Sequence, residues 1–423
     1  MLTKKRDKKA AARPDLTPGS PDGSSGYRWI VVAAVLVMQT LSSGLGFYNM
    51  SVYINRFAFE AGVPVSSISF AVSLFFIVGA VAGLYVADLM ARWQPRTLIW
   101  GGSIIAAFAL FLLGDTDTLW QVYLLFVVFG IGSAGISIVL ATTLVTQWFP
   151  NKERAMALAI ASTGLSLGGV VITPLTAYLT NANGLAGAMP LLAGLLVVVM
   201  LPVGWLVRMP PTQPVSRSNS QAAMATTLRA AVSSRFYIFL CAAFVLIMAS
   251  QVGGIAHLYN RVEQLSSYTQ AALAVQVLSV SSILGRFAGG WIVSRVPIRW
   301  FARGNLVLQA IGLSGIGLAD NAMLVIFFAG VFGVSVGNLL MTLPLWLAEV
   351  FPVEIYAKVF ARANAFSTFG IATGPFFMGV VFDQAWTTSA YTAPYLMAVG
   401  FSLIAFIFVL LASKHRLPEE AFA

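Results

Sequence analysis

Apolar residues run along this chain in long, nearly unbroken stretches separated by short polar breaks. A helix that crosses a bilayer needs about 20 mostly apolar residues. Twelve stretches reach that length, at about Trp29–Tyr53, Ser67–Met90, Thr97–Leu113, Leu119–Val145, Ala155–Leu179, Leu185–Val207, Phe236–Leu258, Ala271–Val293, Trp300–Leu318, Ala322–Ala348, Val359–Phe382 and Tyr391–Leu411. A membrane β-barrel would instead show alternating segments of about ten residues. Lipid cannot satisfy backbone polar groups, so continuous runs of this length predict helices.

The polar breaks alternate in charge. One side would hold Lys4, Lys5, Arg6, Lys8, Lys9, Arg13 and Arg28, then Arg92, Arg96, Lys152, Arg154, Arg208, Arg217, Arg229, Arg235, Arg295, Arg299, Arg303, Lys358, Arg362, Lys414 and Arg416. The other side holds only Arg56 and Arg261, with Glu60, Asp115, Asp117, Glu263, Asp320 and Asp383. Because basic loops stay in the cytoplasm, this asymmetry predicts an even number of spans and both termini cytoplasmic.

Composition supports a membrane protein. The chain is 58% hydrophobic and 9% charged, against about 25% charged in a soluble domain. The net charge of +10 is scattered over the loops, so a nucleic-acid partner is not expected; the expected partner is the bilayer. A single Cys241 and two His residues leave little for a disulfide framework or a metal centre, and no cofactor is expected. Compact loops suggest a bacterial inner membrane.

Residues 1–26 combine a basic run with Pro, Gly and Ser, which predicts a disordered cytoplasmic tail. Residues 209–234 are rich in Pro, Ser, Gln and Arg and form the expected linker. It separates an N-terminal six-helix bundle, 27–208, from a C-terminal one, 235–413, with a short cytoplasmic tail over 414–423. The halves echo each other. Arg28-Trp29 reappears as Arg235-Phe236, Tyr53-Ile54-Asn55-Arg56 as Tyr259-Asn260-Arg261, Gly83 with Asp88 as Gly289 with Ser294, and Phe149-Pro150 with Gly168 as Phe351-Pro352 with Gly370. A weak repeat across a polar linker is the mark of a transporter built from parallel halves.

Gly83-Leu84-Tyr85-Val86-Ala87-Asp88, followed by Arg92 and Arg96, resembles the loop signature of the major facilitator superfamily between spans two and three. Three extra residues separate Asp88 from the basic pair. Trp148-Phe149-Pro150 with Arg154 and Gly164-x3-Gly168 is similar to that superfamily's entry into span five, and Gly370-x3-Gly374-Pro375 to its span eleven. The resemblance covers the chain from about residue 27. It implies an all-α membrane protein of twelve transmembrane helices in two pseudo-symmetric six-helix bundles, the major facilitator fold. Two features resemble the monocarboxylate and oxalate transporter group: Gly46-Phe47-Tyr48 through Val52-Tyr53 with Glu60-Ala61-Gly62, and Gly285-Arg286-Phe287 with Gly289-Gly290. That group places a substrate-binding Arg in span eight, at the position of Arg286.

The residues of span eight lead to the same place. Arg286 is the one charge expected well inside a span, where a charge costs about 2.5 kcal/mol or more. Span eight runs toward the cytoplasm and helical side chains tilt toward the N-terminus, so the guanidinium is expected nearer the membrane centre. No Asp or Glu lies deep in any span to neutralise it. A guanidinium fork suits a carboxylate, and a single cation suits one carboxylate better than two. The expected substrate is therefore a small organic anion, a monocarboxylate.

Gln276, Ser279, Ser282, Arg286 and Gly289 form one helical stripe, expected to line an aqueous cavity. Span one offers Gln39, Ser42, Gly46, Asn49 and Tyr53. Span seven offers Gln251, Gly254 and His257, span ten Ser335, Asn338 and Thr342, and span eleven Asn364 and Ser367. Each polar residue could equally serve a helix–helix hydrogen bond. The expected ligand set is Arg286, Tyr48, Asn49, Ser282, Gln251, Asn338 and Asn364, with Tyr48 and Asn49 favoured by the resemblance. His257 is expected at the interface. Asp88, Arg92 and Arg96 are expected to gate rather than bind, with Asp88 near the start of span eleven and Lys358 or Arg362 as partner.

Coupling is not readable. Proton-coupled members of the monocarboxylate group carry a Lys in span one and an Asp one turn before the span-eight Arg. Here Ser282 stands at the Asp position and span one has no Lys. Facilitated diffusion, exchange against a counter-anion and a proton carried by another route stay open. The competing function is an exporter of apolar or cationic compounds on the same fold. An enzyme is not expected, because the chain shows no Ser–His–Asp set, no GxxxxGK[ST] and no HExxH.

Overall fold

A computed structural model describes residues 22–90, 92–149, 153–209, 228–351, 353–384 and 391–414. Most of the expected N-terminal tail, residues 210–227 of the expected linker and the end of the C-terminal tail lie outside the described residues. The described chain is helical. Ten of its helices are long and apolar enough to cross a membrane. One of these, Arg154–Leu206, is too long for a single crossing and turns back at Gly184, whose φ of 64° is left-handed; this makes spans five and six. Ile298–Leu318, with Arg299 and Arg303 in its first turns, completes the twelve as span nine.

The remaining spans follow the apolar stretches closely. Span two is Val65–Met90, span three Pro95–Leu113, span seven Arg235–Glu263, span eight Tyr268–Val293, span ten Ala322–Val350, span eleven Val353–Asp383 and span twelve Thr392–Lys414. Their ends carry local stop signals. Gln121 Oε1 accepts from the Asp117 and Thr118 amides at 3.0 and 3.1 Å ahead of span four. Asn321 Oδ1 accepts from Leu324 N at 2.9 Å at the start of span ten. The first pair is one arm of a capping box that fixes the chain entering the helix, and the second satisfies a helix N–H that has no intrahelical partner.

Two spans are interrupted. Span four is Leu119–Ala134 and Ile138–Trp148, broken around Gly135. Span one is Asp22–Ser43, a π-helical turn over Gly44–Tyr48, then Met50–Ala61. The π turn is closed by Asn49 N donating to Gly44 O at 2.9 Å. Hydropathy could not reveal either break, because the residues within them are as apolar as their flanks.

The packing repeats between the halves. Span one lies on span five as seven lies on eleven; two on four as eight on ten; three on six as nine on twelve. The paired glycine motifs explain two of these contacts. A Cβ on Gly164 would come 2.4 Å from Leu36 O of span one, and one on Gly374 would come 2.2 Å from Ala249 O of span seven. The same small-residue spacing thus seats the same pair of helices in each half.

The halves meet along three pairs of spans: one with seven, two with eleven, and five with eight. We call the end of the molecule that carries Glu60, Glu263 and Asp383 the acidic face, and the opposite end the basic face. At the acidic face the halves are closed. Tyr53, Tyr259, Asn260 and Arg261 are buried there, the Phe70 and Phe376 rings lie 5.7 Å apart, and Glu263 pairs with Arg56 at 3.3 Å.

Candidate functional site

The interrupted span one places Tyr48 and Asn49 at the end of its π turn, both buried in the middle of the molecule. Short π segments are enriched at functional sites because they redirect side chains out of the regular helical register. Asn49 Nδ2 donates to Thr176 Oγ1 of span five at 2.6 Å. Asn49 Oδ1 is buried without a protein partner.

Opposite Tyr48, spans five and eight run antiparallel and are joined along their length. Gln276 Nε2 donates to Val170 O at 2.9 Å. Ser166 Oγ lies 3.4 Å from Ser282 Oγ. Arg286 Nη1 donates to Ser162 O at 3.0 Å. Helical residues four apart share a face, so 282 against 166 and 286 against 162 are successive rungs. The approach is close because Gly169 has no side chain: a Cβ there would lie 2.0 Å from Ser279 Oγ and 2.9 Å from Tyr48 Cδ1. The span-eight stripe expected to line open water is, in this conformation, a seam between the halves. The guanidinium is bonded to Ser162 O of span five.

Arg286 nevertheless has the environment of a ligand residue. It has five N–H donors, of which one reaches Ser162 O. It forms no ion pair with a described carboxylate. Its stem lies against Gly337 of span ten, where a Cβ would come within 3.0 Å of Arg286 Cγ. The Tyr48 phenol lies beside Ser166 and Ser279 and within electrostatic reach of its charge. Ser279 Oγ has no hydrogen-bond partner. The structure thus gathers Arg286, Tyr48 and Ser282, with Asn49 a turn away, and adds Ser162, Ser166, Gly169 and Ser279. The span-five members were missed in sequence, although Ser162, Ser166 and Gly169 follow a four-and-three spacing that could have shown a polar face.

The other expected site residues have contacts of their own, and Asn338 Oδ1 lies against Gly289 of the span-eight stripe without a hydrogen-bond partner. Gln251 Nε2 donates to Gln309 Oε1 at 3.3 Å, and Gln309 Nε2 donates to Ser250 and Ser402 at 2.8 and 3.1 Å; this network ties spans seven, nine and twelve inside one half. Asn338 Nδ2 donates to Asn305 Oδ1 at 2.9 Å, between spans ten and nine. Asn364 is exposed on span eleven. His257 is fully buried within the protein, with Nε2 3.0 Å from Pro375 O of span eleven. Arg92 and Arg96 are exposed at the basic face. Asp88 lies in the last turns of span two, and its side chain lies outside the described residues.

Arg261 is an almost fully buried arginine, which the sequence placed in a loop. It sits in the last turn of span seven, with Nε donating to Ile316 O at 3.2 Å and Nη2 to Ala319 O at 2.7 Å. These are carbonyls at the C-terminal end of span nine, a natural cation site.

Two pseudo-symmetric halves closed at one end around a polar centre are the layout of a membrane transporter. The sequence profile of the Major Facilitator Superfamily matches residues 36–345 and 266–422, and the chain belongs to that family. Among relatives, an MFS-type transporter of Gibberella moniliformis is 24% identical over 322 residues, 76% of each chain. Monocarboxylate transporter 13 of Bos taurus is 24% identical over 286 residues, 66% of this chain and 63% of its own length. The fujikurins efflux protein of Gibberella fujikuroi is 25% identical over 333 residues, 75% of this chain and 68% of its own. The fold matches a bacterial homolog of the human lysosomal transporter Spinster, solved inward-facing and occupied, with TM-score 0.75 and 18% identity over 93% of this chain and 99% of that one.

Proposed function

We propose that the chain moves a small organic anion, a monocarboxylate, across the membrane, with the basic face and both termini in the cytoplasm. The observation that carries this reading is Arg286: a guanidinium on the seam between the halves, bonded once to a backbone carbonyl and paired with no described carboxylate. A carboxylate would take two parallel N–H donors from it. Tyr48 and Ser282 flank that position, and Asn49 Oδ1 and Ser279 Oγ supply further unfilled polar atoms. The site lies between moving parts, so an anion there would bridge spans five and eight and bias the two halves together. The name of the Bos taurus relative agrees with this substrate class.

A second reading is export of an apolar or cationic compound; its direction of transport is the one printed in the name of the Gibberella fujikuroi efflux relative. It predicts a site without need of a free cation. Reconstituted protein decides between them. Uptake of a labelled short monocarboxylate that disappears in Arg286→Ala supports the anion reading; full uptake by that variant removes it.

A further inference from the structure

We infer that Glu263 is a proton-binding site that unlatches the acidic face of the transporter. At the end of span seven its carboxylate accepts from Asn55 Nδ2 of span one, and Oε1 lies 3.3 Å from Arg56 Nη2 of the same span. Arg56 Nη2 in turn reaches Asn181 Oδ1 of span five at 3.4 Å. The acceptor belongs to the C-terminal half and every donor to the N-terminal half. A second carboxylate is used in the same sense. Asp383, ending span eleven, accepts from Val65 N at 3.2 Å and Ser66 N at 2.8 Å, the unpaired amides that open span two.

Both latches depend on a negative charge. A charge-assisted bond is about twice as strong as a neutral one, and a helix N-terminus favours an anion. When a proton from the acidic-face solvent binds a Glu263 carboxylate oxygen, that oxygen gains an O–H bond and the carboxyl becomes neutral. The pull on Arg56 is lost and the seam between spans one and seven is weakened. When the proton leaves, the contact re-forms. Acid on that side therefore favours the open state, and by linkage the open state favours the proton.

The groups facing Glu263 single it out. Span one presents Arg56, with Tyr53 buried below it; span seven itself presents Tyr259, and span eight Tyr268. Arg261, although two residues away, is committed to the span-nine carbonyls, with Asp320 beyond it. Glu60 caps Leu185 N at the start of span six, within the N-terminal half. Among these acids Glu263 is the one paired with a cation across the seam. It is 21% exposed and Arg56 16%, so protons reach the pair while water does not screen it fully.

The inference rests on the proposed orientation for which side is external, but its test needs no substrate. Spin labels at Phe59→Cys and Ser266→Cys, two exposed positions at the acidic face, report the separation of the halves in nanodiscs. On lowering the pH from about 7.5 to about 4, just below the ordinary glutamate value of about 4.3, the distance distribution should gain a longer population. Glu263→Gln, which mimics the protonated carboxyl, should show that population at both pH values, and so should Arg56→Gln. A pH response in Glu263→Gln equal to that of the parent, or no pH response in the parent, overturns the inference. The anion reading fails separately, if carboxylate uptake survives Arg286→Ala while the distances behave as described.

Discussion

Two arginines in the C-terminal half separate structure from function. Arg261 is almost fully buried and hands its Nε and Nη2 protons to the end carbonyls of span nine. Arg286 lies on the seam and gives one proton to Ser162 O. The charge is the same; the difference is how many donors the protein itself occupies. A buried cation that finds a helix C-terminus is part of the fold. One that is left with open donors on the seam between the halves is the cation the proposed anion would engage. Burial alone would have ranked Arg261 first.

The largest effect expected from this contrast is on transport. Arg286→Ala should reduce carboxylate uptake by about 30-fold or more, because truncating one partner of a buried charge pair costs about 2–5 kcal/mol, while leaving thermal stability close to the parent. Arg286→Lys keeps the charge but loses the fork, and uptake should fall about 10-fold. Arg261→Ala should invert the pattern. Span-nine carbonyls lose their donors, stability should drop by about 1–3 kcal/mol, and carboxylate affinity of the folded fraction should stay near that of the parent. Loss of binding without loss of stability in Arg261→Ala would break the comparison.

Gly169 sharpens it next. A methyl there would press on Ser279 and Tyr48, so Gly169→Ala should cost about 1–3 kcal/mol as overpacking. It should also slow exchange by holding spans five and eight apart, measured as substrate counterflow. The smallest effect is expected at the basic face. Asp88→Asn should shift labelling of cysteines introduced near the start of span eleven by a few-fold, since a carboxylate at a helix N-terminus contributes about 0.3–1 kcal/mol. Unchanged labelling would leave Asp88 without a gating part.

Hydropathy and charge alternation carried most of the fold. Apolar run length placed the spans to within a turn or two, because lipid forces backbone pairing into helices. The breaks at Gly44–Tyr48 and around Gly135 were invisible, since they change hydrogen-bond register without changing polarity. Arg286 was legible because a charge deep in an apolar run is costly wherever it points. Its partners on span five were not, because Ser162 contributes a backbone carbonyl, which has no sequence signal, and Gly169 contributes an absence. Gln251 and Asn338 show the converse: polar residues facing a helix neighbour and polar residues facing a ligand have the same spacing along the chain. Glu263 and Arg56 sit in what the sequence reads as loop ends, and their pairing across the halves needed the tertiary packing.

Whether Arg286 receives the anion decides the substrate class. The direct measurement is the thermal stability of the purified protein titrated with a short monocarboxylate, beside its amide and a matched amine, since a ligand that binds the folded state raises its unfolding temperature. The account predicts a concentration-dependent rise with the carboxylate alone, lost in Arg286→Ala and kept in folded Arg261→Ala. An equal rise in Arg286→Ala, or a rise with the amine and none with the carboxylate, would contradict it.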